Sequence, residues 1–288
     1  MKATGNGRLD LALDIPLRRV TDSRVSGEFR LQNNQVHLFE GMAPVTQVNG
    51  RLLLTESSID SPEITGRVYG GPVRVGIRSH ADRVAVQVGG TSNVTELVRH
   101  FGLPVGERLT GSAAWKSTID IRHHQIDSVI DSDLVGVSSL LPEPLAKAAT
   151  SSLALRIEKT NAEAGRVQYR ATLGDVARAV FVKGADGLER AVVVIGSGEA
   201  RLPDRGVAVR IVVPQFDADA WKALVAGDNA GRSDMKPPAL DVVSIRTPRL
   251  RLFGRDFTDV DSEVRPRDDG WQITDRKSTR LNSSHEDL

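Results

Sequence analysis

The chain has 288 residues, room for one large domain or two ordinary ones. Its 38 basic and 37 acidic side chains leave a net charge of +1, which excludes the broad basic field of a nucleic-acid binder. There is no cysteine, so disulfides, thiolate nucleophiles and cysteine-built zinc sites are excluded, and no stretch nears the ~18 consecutive apolar residues of a membrane helix.

The first element is GRLDLALDIPL. Leu9, Leu11, Leu13, Ile15 and Leu17 fall on every second residue, with Arg8, Asp10, Ala12, Asp14 and Pro16 between them. A period of two is that of a strand with one apolar and one wet face. GEFRLQNNQVHL puts Phe29 and Leu31 on one face, and its Asn33-Asn34 pair predicts a tight hairpin before Val36 and Leu38. GRLLLTESSID repeats the plan with Leu52 and Leu54, a polar turn, then Ile59. PVRVGIRSHADRVAVQV gives Val73, Val75 and Ile77, a turn near His80 to Asp82, then Val84, Val86 and Val88.

SNVTELVRHFGLP breaks this rhythm. Val94, Leu97, Val98 and Phe101 have helical spacing, Asn93 and Glu96 suit the N-terminus, and Gly102 and Pro104 suit the stop. Strand signals resume in STIDIRHHQIDSVI, SSLALRIEKT, GRVQYRATL and RAVFVKGADGLERAVVVIG. A weaker helical turn is predicted at PEPLAKAAT. GVAVRIVVPQ then carries Val207, Val209 and Ile211 on one face. QFDADAWKALVAG predicts a second helix, with Asp217 as cap, Trp221, Leu224 and Val225 on one face, and Gly227 as stop. Residues 227–239 read as loop or linker, and DVVSIRTPRLRLF and FTDVDSEVR as further strands.

The fold class is therefore mainly β: a long antiparallel meander with two or three short helices. About fifteen strands at ~4.8 Å spacing make a sheet ~70 Å across. Two helices of about ten residues are each ~15 Å long and cannot cover its apolar face. Three arrangements solve that problem. The sheet closes as a barrel, folds into a sandwich, or curls into an open trough whose lining meets another apolar substance.

Motifs for chemistry are absent. His123-His124 with Asp127 reads as a solvated turn, because neighbours on a strand point to opposite sides. GSAAWKS has Trp115 where a phosphate loop needs its second glycine. Ser197 in IGSGEA lacks nucleophile-elbow spacing. The carboxylates Asp10/Asp14 and Asp120/Asp127 alternate with apolar residues and read as a wet face. No catalytic residue, metal site or cofactor is expected.

Several segments together carry a family likeness. GRLDLALDIPL has the form GxLxLxLxIPL, and LVRHFGLPVGERLTGSAAW is a helix followed by L-x-G-x-x-x-W. DLVGVSSLLPEPLAKAA places Pro142, Pro144, Leu145 and Lys147 in L-P-x-P-L-x-K, and QFDADAWKALV starts a helix with D-x-D-x-W. PRLRLFGRDFTDVDSEVRPRDDGWQIT ends a strand pair on Gly-Trp. Over residues 5–274 this order resembles the YhdP branch of the AsmA-like/TamB-like family of bacterial envelope proteins. The resemblance implies an elongated open β-groove spanning residues 1–226 and, after the linker, continuing over 240–274. It implies a segment of a conduit in the periplasm that carries phospholipid acyl chains between inner and outer membrane, within a protein anchored in the inner membrane. The expected lining is Leu9, Leu11, Leu13, Ile15, Phe29, Leu31, Leu52, Leu54, Val73, Val75, Ile77, Val84, Val86, Val88, Val207, Val209 and Ile211. A charge on that lining is expected to block passage, since an unpaired buried charge is costly. The alternative is an all-β envelope module with a self-packed core and no lipid ligand.

The last residues, DRKSTRLNSSHEDL, are different. Alternation stops at Ile273, and Asp275 to His285 can be back-translated into a common sequencing-library adapter. Residues 275–288 are therefore expected to be an artefact, with the natural chain continuing past Thr274; a polar disordered tail is the alternative.

Overall fold

The computed structural model describes residues 2–15, 24–38, 41–80, 82–103, 105, 108–123, 125–162, 165–227, 240–267 and 270–275. Alternating segments become strands. β1 (Lys2–Asp14), β2 (Arg24–His37), β3 (Val45–Thr55), β4 (Ile59–Val68), β5 (Gly71–His80) and β6 (Arg83–Asn93) pair in order, each antiparallel to the next. The turn between β3 and β4 is fastened by Thr55, whose Oγ1 accepts the N–H groups of Ser57 and Ser58.

The first helix, α1 (Val94–Phe101), forms where its caps place it. Asn93 Oδ1 accepts the N–H groups of Thr95 and Glu96 at 2.9 and 3.2 Å. Gly102 ends the helix at φ 58°, a left-handed conformation that costs glycine little. β7 (Leu109–Arg122) and β8 (Gln125–Ser132) continue the ladder, and the short β9 (Val137–Ser139) pairs with the start of β7. Backbones come very close there. A Cβ on Gly111, at φ +97°, would stand 2.0 Å from the Gly136 carbonyl oxygen, which is why the L-x-G-x-x-x-W strand has glycine at that place.

β10 (Leu155–Asn161) returns beside β8, followed by β11 (Val167–Leu173), β12 (Ala177–Gly184) and β13 (Gly187–Gly196), all antiparallel. The next connections differ from a meander. β14 (Gly206–Val212) lies parallel to β13, and β16 (Leu240–Leu252) lies parallel to both β14 and β15 (Gln215–Asp217). Parallel neighbours require the chain to cross back over the sheet. Residues 197–205 make the first crossing, and α2 (Ala218–Gly227) belongs to the second. β17 (Arg255–Arg267) and β18 (Gly270–Asp275) close the order antiparallel. Among the described residues eighteen strands thus form one mixed sheet, and its edge strands β1 and β18 are not paired with each other.

Two local expectations are corrected. Asn33-Asn34 is not a hairpin, because β2 runs straight through it. Asn33 takes φ 51° as a bulge, and buried Asn34 accepts the Gln32 N–H at 2.7 Å. The stretch PEPLAKAAT is not helical. Its backbone is tied back to β9 by reciprocal bonds between Ser139 and Lys147. The Lys147 ammonium donates to the carbonyl oxygens of Leu134, Val137 and Ala148 at 2.8, 2.9 and 3.0 Å. The L-P-x-P-L-x-K motif is therefore a clasp. The expected linker falls mostly outside the described residues, as do all but the first residue of the 275–288 segment.

Both helices, β9 and β15 lie at one end of the strands; the turns after β3, β5, β7, β10 and β12 lie at the other. At the helix end, Asp217 Oδ1 accepts the Ala220 N–H and caps α2. Asp219 accepts the N–H groups of Gly254 and Phe253, which holds its carboxyl below the usual range and pins α2 to the β16–β17 turn. Trp221 Nε1 donates to the Glu143 carbonyl at 3.3 Å, joining α2 to the clasp. Lys147→Met should lower stability by about 2 kcal/mol, because three carbonyls lose a charged donor. Urea unfolding at neutral pH checks this, and an unchanged midpoint would contradict the clasp.

Candidate functional site

Directly paired residues on neighbouring strands point to the same side of a sheet. Following the register gives one cross-strand row that takes a residue from every strand except β9 and β15. It runs Gly7, Leu31, Gly50, Ile64, Val75, Val88, Ser117, Ile130, Ile157, Ala171, Ala179, Val193, Val209, Val243, Val264, Ile273. Ser117 is the only polar side chain in it, and it is buried. At ~4.8 Å per strand the row is ~70 Å long.

Parallel rows on the same face extend it to both sides. Toward the turn end lies Ser61, Ile77, Val86, Ile119, Ser128, Lys159, Tyr169, Phe181, Ala191, Val207, Leu240. Toward the helix end, Val73, Gly90 and Trp115 are in line. The Trp115 indole lies over Gly90, where a Cβ would stand 3.1 Å from the ring, and its Nε1 donates to Ser92 Oγ at 2.9 Å. At the first edge, Leu9, Phe29 and Leu52 are in line, as are Leu11, Gly27 and Leu54.

All the paired residues among those expected to line a groove lie on this face: Leu9, Leu11, Leu13, Phe29, Leu31, Leu52, Leu54, Val73, Val75, Ile77, Val84, Val86, Val88, Val207, Val209 and Ile211. Ile15 follows β1 directly. Their burial is uneven. Leu9, Leu11, Leu13 and Ile15 are 51–61% exposed, whereas Val73 and Ile211 are at 4% and 5%. Ile211 belongs to a cluster with Ile195, Val213, Phe216, Leu250 and Val260, against which Trp221 of α2 packs. That part of the face is covered by protein. Val75, Val86, Val88, Val207 and Val209 are only half-buried.

The opposite face is charged. One of its rows reads Thr65, Arg74, Gly89, Lys116, Asp131, Arg156, Thr172, Arg178, Val194, Arg210, Ser244, Glu263. Arg156 pairs with Asp131 and Glu158 at 2.9 Å each. Asp120, hydrogen-bonded by Arg122 and Arg83, has its carboxyl held below the usual range. An exception is the patch Val180, Val192, Val194 and Ala208, which residues 197–205 cover with Ala200 and Leu202. His123 sits in its turn at 3.3 Å from Asp82, and His124 lies outside the described residues. Among the described residues no group of three or more His, Asp or Glu is placed to hold a metal.

Lys159 escaped the sequence reading, though SSLALRIEKT already sets it two residues after Ile157 in phase with Leu155. It is the one described lysine or arginine in the two central rows of the apolar face. Its ammonium donates to the Ile126 carbonyl at 2.7 Å, and partial burial lowers its pKa, opposed by Asp127.

Comparison with known proteins finds a family and a curated relative. The model of the YhdP protein family matches residues 1–281. The chain is 26% identical over 287 residues to the intermembrane phospholipid transporter YhdP of Escherichia coli (strain K12), covering 95% of this chain and 22% of that protein. The chain thus spans about a fifth of the length of the curated relative it matches. No solved structure matches.

An open aliphatic face should take up an apolar dye such as Nile red. Val88→Asp in the central row should weaken dye binding about tenfold, and Gln87→Asp on the charged face should leave it unchanged. Fluorescence titration of the two variants checks this, and equal effects would contradict the face assignment.

Proposed function

Because the chain belongs to the YhdP protein family, we propose that it is a segment of a phospholipid conduit in the bacterial cell envelope. Acyl chains lie along the central aliphatic row, and headgroups stay in water beyond the strand ends. The unbroken row through sixteen strands is the observation that carries this reading. The cargo is suggested by the relative, which is an intermembrane phospholipid transporter. Each methylene laid on an apolar surface is worth about 0.8 kcal/mol when fully buried. Along a row of Leu, Val, Ile, Ala and Gly, with Ser117 its one polar and buried member, this gain hardly changes from strand to strand, so a chain can slide without a deep trap. No bond is made or broken, and no metal or cofactor is needed.

In this proposal the complete protein is anchored in the inner membrane and crosses the periplasm toward the outer membrane. The segment supplies one stretch of the path. Its charged outer face keeps the path soluble in the aqueous space.

A second reading has one observation in its favour. Buried clusters occupy this face at its helix end beneath α2 and around Ile64, where Leu31, Leu52, Val75 and Ile77 pack with it, as a self-packed structural module would do throughout. The two readings part at β1 to β8, where Leu9, Leu11 and Leu13 are exposed and Val75, Val86 and Val88 half-buried, while Ile64, Val73 and Ser117 are buried.

Photo-crosslinking residues placed at Leu11, Val75 and Val86 in cells should yield lipid adducts, and the same probe at Arg74 or Gln87 should yield none. Equal labelling of both faces, or no lipid at any position, would contradict the conduit.

A further inference from the structure

Lys159 is out of keeping with its surroundings. It occupies an apolar row, opposite Ser128 on β8 and Tyr169 on β11, with Phe181 next in line. Such a cation in a lipid path ought to be an obstacle. Its position removes the difficulty. The β8–β10 ladder ends at the Lys159–Ser128 pair, so the ammonium stands close to the turn end of the strands, where headgroups would be in water. One of its protons goes to the Ile126 carbonyl, leaving two to donate elsewhere. No carboxylate among the described residues forms an ion pair with it; Asp127 acts only at longer range and is itself bonded to the Asn161 amide. Tyr169 is half-buried, and its hydroxyl has no hydrogen-bond partner among the described residues. Ser128 adds a further hydroxyl in the same row.

In register Lys159 lies between Ser128 and Tyr169, so this row sets an anchored ammonium and two hydroxyl-bearing residues beside the aliphatic central row. Resting on the conduit reading above, we infer that Lys159, Tyr169 and Ser128 form a phosphate station on the groove wall, where the phosphodiester of a phospholipid docks while its acyl chains lie on the central row. The phosphodiester carries one negative charge and accepts hydrogen bonds only, matching an ammonium with two protons to give and two hydroxyls that can donate. The station also gives the path a polarity: headgroups would travel along the turn end, away from α1 and α2.

The test compares lipids with and without phosphate. The 288-residue chain is equilibrated in neutral maltoside micelles with phosphatidylglycerol or with diacylglycerol of the same acyl chains, and bound lipid is quantified. Lys159→Met keeps the length of the side chain and removes the charge. It should reduce phosphatidylglycerol loading about fivefold and leave diacylglycerol loading unchanged, and Lys159→Arg should restore phosphatidylglycerol. Diacylglycerol loading also reports that the variant is folded. Unchanged phosphatidylglycerol loading in Lys159→Met would overturn the station, as would equal loss of both lipids, which would mark Lys159 as a structural brace for Ile126. Displacement of phosphatidylglycerol by millimolar inorganic phosphate would overturn the lipid assignment in favour of a general phosphate site. Failure of the unsubstituted chain to load either lipid would instead refute the conduit reading itself.

Discussion

The whole structure depends on cross-strand register. A side chain's face is decided by odd or even position, so a slip of one residue would turn an entire strand inside out. The central row holds its phase from Gly7 to Ile273 through antiparallel hairpins, bulges and two parallel pairings. Bulges at β2–β3, β3–β4 and β4–β5 shift the pairing locally, yet Leu31, Gly50, Ile64 and Val75 still meet in line. Where the direction of pairing changes, Val193, Val209 and Val243 remain opposite one another. Continuity of one aliphatic face is thus a property of the ladder as a whole.

What covers that face differs along its length. Under α2 the protein supplies its own cover, with Phe216 and Trp221 stacked 6.2 Å apart over the Ile195–Ile211 cluster. Toward β1 the cover is absent among the described residues, and leucines stand more than half exposed. Apolar surface on that scale in a water-soluble face calls for an occupant. The opposite face carries ion pairs such as Arg246–Asp261 and Arg166–Glu189, which add little stability at the surface but keep that side wet. One side for hydrocarbon and one for water is the asymmetry that a lipid path requires.

Much of this was legible in the sequence. Strict alternation located the strands, and Asn93 with Gly102, and Asp217 before Trp221, located both helices. Other features were not. The change from antiparallel to parallel follows residues 197–205, a link short enough to read as a turn; only the apolar outer patch at Val180, Val192 and Ala208 reveals that it crosses the sheet. The Asn pair in β2 has the chemistry of a hairpin, but pairing with β1 and β3 on both sides keeps the strand extended and makes Asn33 a bulge. Lys147 binds carbonyls distant in sequence, and no local pattern encodes that. Lys159 is the instructive case, since its phase was visible and its meaning depended on where the ladder ends.

The central claim is that the aliphatic row is open to hydrocarbon while other buried valines are not. Methyl NMR of the valine-labelled chain with a doxyl-bearing phospholipid tests it most directly. Relaxation by the doxyl group should broaden Val75, Val88 and Val209, and should spare Val192 and Val194 beneath the crossover on the outer face. Broadening of both sets alike, or of neither, would contradict the account.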